Sequence, residues 1–229
     1  RYFETFAPDK VRYEFGFGLS YTTFSIEKMS AKVVNNVIQI EIKVTNTGTQ
    51  YSGKEVVQLY FEAPQGKLGK PLRQLCAFEK TNTLTPNENQ ILNFEININD
   101  MASYDDMNLT GYKSCYVLEP GNYQIYAGNS VKNVSLVYEY QLDSVIVTKK
   151  LSPAMSPDNK QLTILHPKKN EDGTYSETYI NSEESTINIA QRILSDLPPT
   201  LNITGDKGIK LKDVYEGNAT LESFIQQLS

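Results

Sequence analysis

Residues 37–45, VIQIEIKVT, alternate strictly: Ile38, Ile40, Ile42 and Val44 fall on one side of an extended chain, and Gln39, Glu41, Lys43 and Thr45 on the other. Successive side chains of a strand point to opposite faces, whereas a helix would scatter this set around its circumference. The segment is therefore a strand with one wet face, and its apolar face needs a second layer to cover it. From residue 21 onward the same period recurs between turn residues. Strands are predicted over 54–61, with Val57, Leu59 and Phe61 on one face, over 72–78, and over 90–98, where Leu92, Phe94, Ile96 and Ile98 alternate with polar residues. Three more are predicted over 112–118, 122–127 and 133–140. The separators have turn chemistry: Asn46-Thr47-Gly48, Ser52-Gly53, the Gly/Pro/Lys stretch 64–71, Pro86, and the Asp-containing stretch 99–108, which reads as a loop with a short helical piece. Seven or so short strands in about 120 residues predict a mainly β fold, an immunoglobulin-like antiparallel β-sandwich.

Leu118-Glu119-Pro120-Gly121-Asn122-Tyr123 has the layout of a tyrosine corner, a Tyr after a Pro-Gly turn that sends its hydroxyl back to upstream backbone. The alternative is a plain Pro-Gly turn followed by a strand tyrosine. Both readings are structural.

The ends are organised differently. Residues 1–19 are aromatic and irregular, with Tyr2, Phe3, Phe6, Tyr13, Phe15 and Phe17 among Pro8, Gly16 and Gly18. They read as a linker from a preceding domain, followed by the sandwich over 20–140 and an extension over 141–229. In the extension, Val145–Val147 continues a strand and 152–159 reads as a linker. Residues 161–165 and 174–180 form a hairpin around the loop 168–173, and 186–197 form a short helix stopped by Pro198-Pro199. Thr220 caps a last helix whose Leu221, Phe224, Ile225 and Leu228 fall at i, i+3, i+4 and i+7. A chain that opens at Arg1 and stops at Ser229 within a helical pattern reads as cut from a longer polypeptide. The aromatics of 1–19 and the last helical stripe are expected to dock on the sandwich, pair with a second copy or be poorly ordered, because large exposed apolar patches are unfavourable.

No constellation for chemistry emerges. A formal net charge of -5 and a pI near 5.1 argue against a nucleic-acid binder. Cys76 and Cys115 make no CxxC pair, and two free, half-buried thiols are favoured over a disulfide. The single histidine, His166, has no cysteine or second histidine near it to build a zinc cluster, and reads as a surface residue rather than a general base. No GxSxG elbow is present, and Gly16-x-Gly18 lacks the third glycine of a dinucleotide fingerprint. The acidic pairs Asp105-Asp106 and Glu183-Glu184 read as solvated loop and capping charges rather than a catalytic carboxylate pair. Asp100, Asp105 and Asp106 lack the loop pattern of a calcium site. No catalytic, cofactor or metal residue is therefore assigned, and no cofactor is expected. Sequons at Asn108, Asn133, Asn202 and Asn218 are treated as chance. Exposed tyrosines can stack on sugars, so Tyr51, Tyr60, Tyr104 and Tyr112 form a conceivable sugar platform, against the plainer reading of strand packing. There is no apolar run of about 18 residues and no charged-then-apolar leader.

Several segments together resemble one family. Residues 11–24, VRYEFGFGLSYTTF, are similar to the FGYGLSYT-F segment that opens the fibronectin type III-like domain of glycoside hydrolase family 3, the β-glucosidase group. Matches follow in the family's order at 44–48 (VTNTG), 53–60 (GKEVVQLY), 71–80 (PLRQLCAFEK), 119–123 (EPGNY) and 128–130 (GNS), covering residues 11–140. Cys76-Ala77 stand where Lys-Gly is common. The tail 205–229 resembles the entry to the (β/α)8 barrel in circularly permuted members, which run α/β sandwich, fibronectin-like domain, barrel. The resemblance implies a retaining β-glucosidase as parent, acting on terminal β-D-glucosyl residues, with the present domain bracing the α/β sandwich and barrel of the same polypeptide. It implies no catalytic residue here. The family's nucleophile lies in a Ser-Asp-Trp-type barrel motif and the chain has no tryptophan, the Lys-His substrate motif is missing, and the acid/base glutamate belongs to the α/β sandwich. No nucleic-acid or membrane partner is expected, and the expected setting is the bacterial cytoplasm. The readings from other classes are a carbohydrate-binding module or an adhesion-type sandwich.

Overall fold

A long hairpin opens the sandwich in the computed structural model, which describes residues 3–152, 162–181, 188–198 and 200–228. Strands β1 (Phe24–Val34) and β2 (Val37–Asn46) are joined by Asn35-Asn36, both at positive φ (49° and 65°), the two-residue turn whose twist suits antiparallel strands and which Asn tolerates. Next come β3 (Val56–Glu62), β4 (Gln74–Lys80), β5 (Asn89–Asn97), β6 (Ser103–Asp105), β7 (Cys115–Leu118), β8 (Gly121–Gly128), β9 (Val134–Leu142) and β10 (Ile146–Lys150). A three-stranded sheet, ordered β1-β2-β5, faces a four-stranded sheet, ordered β4-β3-β8-β9, and β10-β7-β6 form a smaller third sheet. A separate hairpin pairs β11 (Thr163–Lys169) with β12 (Tyr175–Asn181). The fold is thus the predicted immunoglobulin- or fibronectin-like antiparallel sandwich, with no closure into a barrel.

The alternation explains the core. Ile38, Ile40, Ile42 and Val44 of β2 and Leu92, Phe94 and Ile96 of β5 meet Val57, Leu59 and Phe61 of β3 and Tyr123, Ile125 and Ala127 of β8. Burying side chains of this size is worth about 1.5–3 kcal/mol each. The hydroxyl of Tyr123 donates to the Glu119 carbonyl at 3.0 Å, so the tyrosine corner is formed.

β1 is the strand least visible in the sequence. Its pairing with β2 shifts register between Lys28 and Ser30, leaving Met29 as the extra residue of a bulge. Phe24 and Ile26 pack on the core before it and Ala31 after it, so the alternation changes phase within one strand. The strand expected over 112–118 begins at Cys115, because Ser114 sits at φ 61° in the preceding turn. Val145–Val147 corresponds to β10, which pairs with β7.

Asn46, at the end of β2, ties that strand to the neighbouring turns. It is fully buried; its amide donates to the carbonyls of Tyr51 and Leu84, each at 2.9 Å. Its carbonyl oxygen accepts from the Thr22 hydroxyl at 2.6 Å and the Gly48 amide at 3.0 Å. Every donor and both lone pairs are used.

By internal packing, residues up to 185 form one compact unit and 186–229 another. The first also contains α1 (Phe3–Phe6) and a 3-10 turn at Pro8–Lys10. The second contains α2 (Ile189–Ser195), α3 (Leu211–Tyr215) and α4 (Leu221–Gln226). The Thr220 hydroxyl caps α4, accepting from the Ser223 amide at 3.1 Å, and the Gln227 side chain accepts from the amides of Lys207 (3.1 Å) and Ile209 (2.9 Å). The last helix is as read, but Leu221, Ile225 and Leu228 remain exposed. Most of the linker expected over 152–159, together with Gln161, Glu183, Glu184, Pro199 and the start of the helix at Thr186, lies outside the described residues. Among the described residues no helix is long and apolar enough to cross a membrane.

Replacing Asn46 by Ala removes the four side-chain hydrogen bonds that tie the end of β2 to Thr22, Gly48, Tyr51 and Leu84, and is expected to lower unfolding free energy by about 2–4 kcal/mol, read as a lower urea midpoint at unchanged slope.

Candidate functional site

Two surfaces of the first unit are built by side chains that the strand pattern alone does not explain. The first lies on the outer face of β3. Its outward residues Gln58 and Tyr60 are almost completely buried, because residues 3–19 cross over them as a strap. The Gln58 amide donates to the carbonyls of Gly16 (3.1 Å) and Asn129 (2.7 Å), and its oxygen accepts from the Tyr60 hydroxyl. The Phe15 ring stands edge-on to Tyr60 with centroids 6.5 Å apart.

Backbone and carboxylate contacts hold the strap in place. The Val131 amide donates to the Phe15 carbonyl at 2.9 Å, the Ser130 hydroxyl to Glu14 at 2.8 Å, the Phe15 amide to Glu4 at 2.9 Å, and the Lys132 ammonium to the Pro8 carbonyl at 2.6 Å. Hydrogen bonds from its own backbone and from Ser130, aided by Lys132, hold the Glu14 carboxyl below its ordinary value. Burial pushes the Tyr60 hydroxyl up to about 12, and the carboxylates of Glu4 and Glu14 add to the shift.

The rings of the strap are another matter. Phe3, Tyr13, Phe15 and Phe17 are each between 45% and 63% exposed. Of the three outcomes expected for these aromatics, docking on the sandwich is met by the strap's backbone, whereas these four rings face outward. The backbone can satisfy its polar groups on the sheet edge and loops, but Gln58 and Tyr60 already occupy the surface the rings would need.

The second surface centres on a buried ion pair. Lys70 and Glu119 meet at 2.5 Å, with side chains 2% and 4% exposed. The Lys70 ammonium also donates to the carbonyls of Pro64 (2.9 Å) and Leu68 (3.3 Å), and Glu119 accepts from the amides of Lys67 (2.6 Å) and Leu68 (3.1 Å). Burial pushes the Lys70 ammonium below the ordinary lysine range, while its hydrogen bond to Glu119 and that carboxylate's charge work against it. The Gly/Pro/Lys stretch read as a loop is thus a loop folded around one carboxylate. Its Lys67 carbonyl meets Nε2 of His166 at 3.2 Å.

The residues singled out in the sequence take structural places. His166 lies inside β11 and ties that hairpin to the 64–71 loop. Asp105, expected to be solvated, is fully buried. It accepts from the amides of Leu109 (2.9 Å) and Thr110 (2.8 Å) and from the Thr110 hydroxyl (2.6 Å), which closes the loop after β6. Asp100 and Asp106 are exposed, and among the described residues no group of three or more His, Cys, Asp or Glu is placed to hold a metal. The tyrosine platform is corrected at Tyr60, which lies under the strap. Tyr51 pairs with Tyr21 at 6.4 Å and Tyr104 with Tyr116 at 5.2 Å, while Tyr112 is 45% exposed. Both cysteines are free, Cys115 buried and Cys76 half-buried. The Cys76 thiol donates to the Leu59 carbonyl at 3.3 Å, and burial pushes it up to about 12. Asn108 and Asn133 serve in turns, through Lys113 and Asn129. Sequence reasoning missed Gln58, Lys70 and Glu119 as anchors; the one available signal was a lysine set between Gly69 and Pro71, an unusual place for a charge with no helix or strand to carry it.

Two outcomes test these anchors. Gly16 has φ 83°, and a Cβ there would collide with the Gln58 carboxamide. Gly16→Ala is expected to cost about 1–3 kcal/mol of strap docking, seen as faster hydrogen exchange at the Val131 amide with β2 unaffected. Lys70→Met leaves Glu119 buried without its counter-charge and is expected to destabilise by about 3–5 kcal/mol. Combining it with Glu119→Gln is expected to cost less than the sum of the two, as a double-mutant cycle in urea would measure.

Residues 55–131 match the fibronectin type III-like domain family. The chain is 44% identical over its whole length to a β-glucosidase of Ruminococcus albus, of which it spans 23%. It is 36% identical, again over its whole length, to β-glucosidase A of Butyrivibrio fibrisolvens, of which it spans 31%. A β-glucosidase of Kluyveromyces marxianus matches 66% of the chain at 36% identity. Among solved structures, a β-glucosidase from Paenibacillus barengoltzii covers the whole chain with a TM-score of 0.86 and 45% identity, the chain spanning 26% of it. β-Glucosidase 3B of Thermotoga neapolitana, solved with glucose, covers 63% with a TM-score of 0.56 and 34% identity. The chain thus spans about a quarter of the relatives that match it throughout. Gln58, Glu119 and residues 11–19 of the strap lie in segments that resembled the family at the outset, and the chain, which aligns throughout with β-glucosidases over a small fraction of their length, is a fibronectin type III-like domain of the glycoside hydrolase family 3 type.

Proposed function

We propose that this chain is a non-catalytic structural module of a retaining β-glucosidase acting on terminal β-D-glucosyl residues, and that it braces the two catalytic domains of the same polypeptide. The observation that carries this reading is the strap: its backbone is pinned to the sandwich while Phe3, Tyr13, Phe15 and Phe17 stay outside it. Aromatic rings held rigidly outward are suited to docking on another surface at little further entropic cost. Two carboxylates of the sandwich support the same reading, since Asp105 and Glu119 are committed to closing loops.

Coverage supports one domain order. The relatives from Ruminococcus albus and Butyrivibrio fibrisolvens match the whole chain, whereas that from Kluyveromyces marxianus matches 66% of it. This favours the permuted arrangement, in which residues 1–19 arrive from an α/β sandwich, 20–140 form the fibronectin-like domain and 141–229 lead towards a (β/α)8 barrel. The exposed Leu221, Ile225 and Leu228 of α4 would then dock on that barrel.

The 229-residue chain alone is expected to show no turnover of an aryl β-glucoside; turnover abolished by substituting one of its carboxylates would overturn the non-catalytic reading. In the full-length polypeptide, the pair Phe3→Ser and Phe17→Ser is expected to lower the unfolding temperature while leaving that of the 229-residue chain unchanged. An unchanged full-length transition would remove the bracing role.

A further inference from the structure

A cleft of about 410 Å³ opens between the β6–β7 edge, residues 68–69 and hairpin β11–β12, within the range of small-ligand sites. One rim carries Tyr104 and Tyr116, which face each other across the β6–β7 pairing. Their rings are 5.2 Å apart and tilted by 48°, and more than a third of each residue remains exposed, 37% and 38%. Alternation puts them on the outer face while Asp105 and Cys115 turn inward. The far wall is His166 with Ile164, and Ser103 and Asp106 supply polar groups.

Two walls of this cleft are fixed from behind by buried carboxylates. Asp105 holds the loop that carries Asp106, Met107 and Leu109, and Glu119 holds the stretch that carries Leu68 and Gly69. The third wall is tied to the second through His166 and the Lys67 carbonyl. A cleft whose polar and aromatic groups are already in place binds without an ordering cost. Its chemistry is mixed in a particular way: flat aromatic faces for an aliphatic ring surface, and a carboxylate, a hydroxyl and an imidazole for hydroxyl groups.

We propose that this cleft is a secondary binding site for a β-linked gluco-oligosaccharide, with Tyr104 and Tyr116 stacking on pyranose faces and Asp106 accepting from sugar hydroxyls. The β-linked class rests on the β-glucosidase reading above, whereas the site itself rests on the cleft. Such a site would hold a glucan chain on the polypeptide without acting on it. It differs from the four tyrosines read in the sequence, sharing only Tyr104.

The test titrates the 229-residue chain, carrying ring-labelled tyrosine, with cellotetraose and in parallel with the α-linked maltotetraose, following ring resonances by NMR. Saturable shifts of Tyr104 and Tyr116 with cellotetraose are expected, with affinity falling about tenfold in Tyr104→Ala or Tyr116→Ala and unchanged in Tyr112→Ala. Asp106→Ala, at an exposed position, keeps the test readable if a tyrosine variant does not fold, and is also expected to weaken binding. No saturable shift with either sugar, or shifts confined to other tyrosines, would overturn the site and leave the family assignment untouched. Equal binding of maltotetraose would overturn the β-linked class.

Discussion

The structure depends on a strand buried from both sides. β3 gives Val57, Leu59 and Phe61 to the core and Gln58 and Tyr60 to the underside of the strap, so neither face meets water. A polar side chain in such a place must find all its partners within the protein, or cost about 1–3 kcal/mol for each group left unpaired. Gln58 finds them in the strap, in Asn129 and in Tyr60. The strap's path follows from that need, since its carbonyl at Gly16 is one of the acceptors. The outward aromatic fringe follows in turn, because the sheet beneath is already filled.

The same logic recurs at the other polar anchors. Asn46 links β2 to two neighbouring turns, Asp105 closes the loop after β6, and Glu119 gathers the 64–71 loop. Each is a buried polar group on or beside the end of a strand, and each holds irregular backbone that could not otherwise satisfy its amides and carbonyls. Asn46 and Glu119 lie in two of the segments that resemble the family, VTNTG and EPGNY. Segments that look like a functional signature are here the fasteners of the fold, which is consistent with a domain whose proposed role is to hold other domains.

Much of the fold was legible because the period of a half-buried strand is written directly in the order of residues. β2 and β5 show it without interruption. The period fails where geometry breaks it: the bulge at Met29 reverses the phase of β1, and β6, three residues long, is too short to carry a period. The site was less legible for a different reason. Tyr60 and Asp105 have the types of exposed residues, and only long-range partners, the strap for one and Thr110 with its neighbours for the other, decide that they are buried. The cleft is less visible still, because Tyr104, Tyr116 and His166 belong to strands far apart in sequence that only the folded loops bring together.

One further property of the bulged strand β4 bears on how such a domain endures. Cys76 is the extra residue where the pairing with β3 shifts register, and its thiol donates to the Leu59 carbonyl. With its ionisation pushed up by burial to about 12, the neutral thiol dominates at neutral pH. The thiolate is the species that oxidants and disulfides attack. A sulfur atom in the middle of a family motif therefore packs as a small apolar filler and is a poor nucleophile towards oxidants and disulfides.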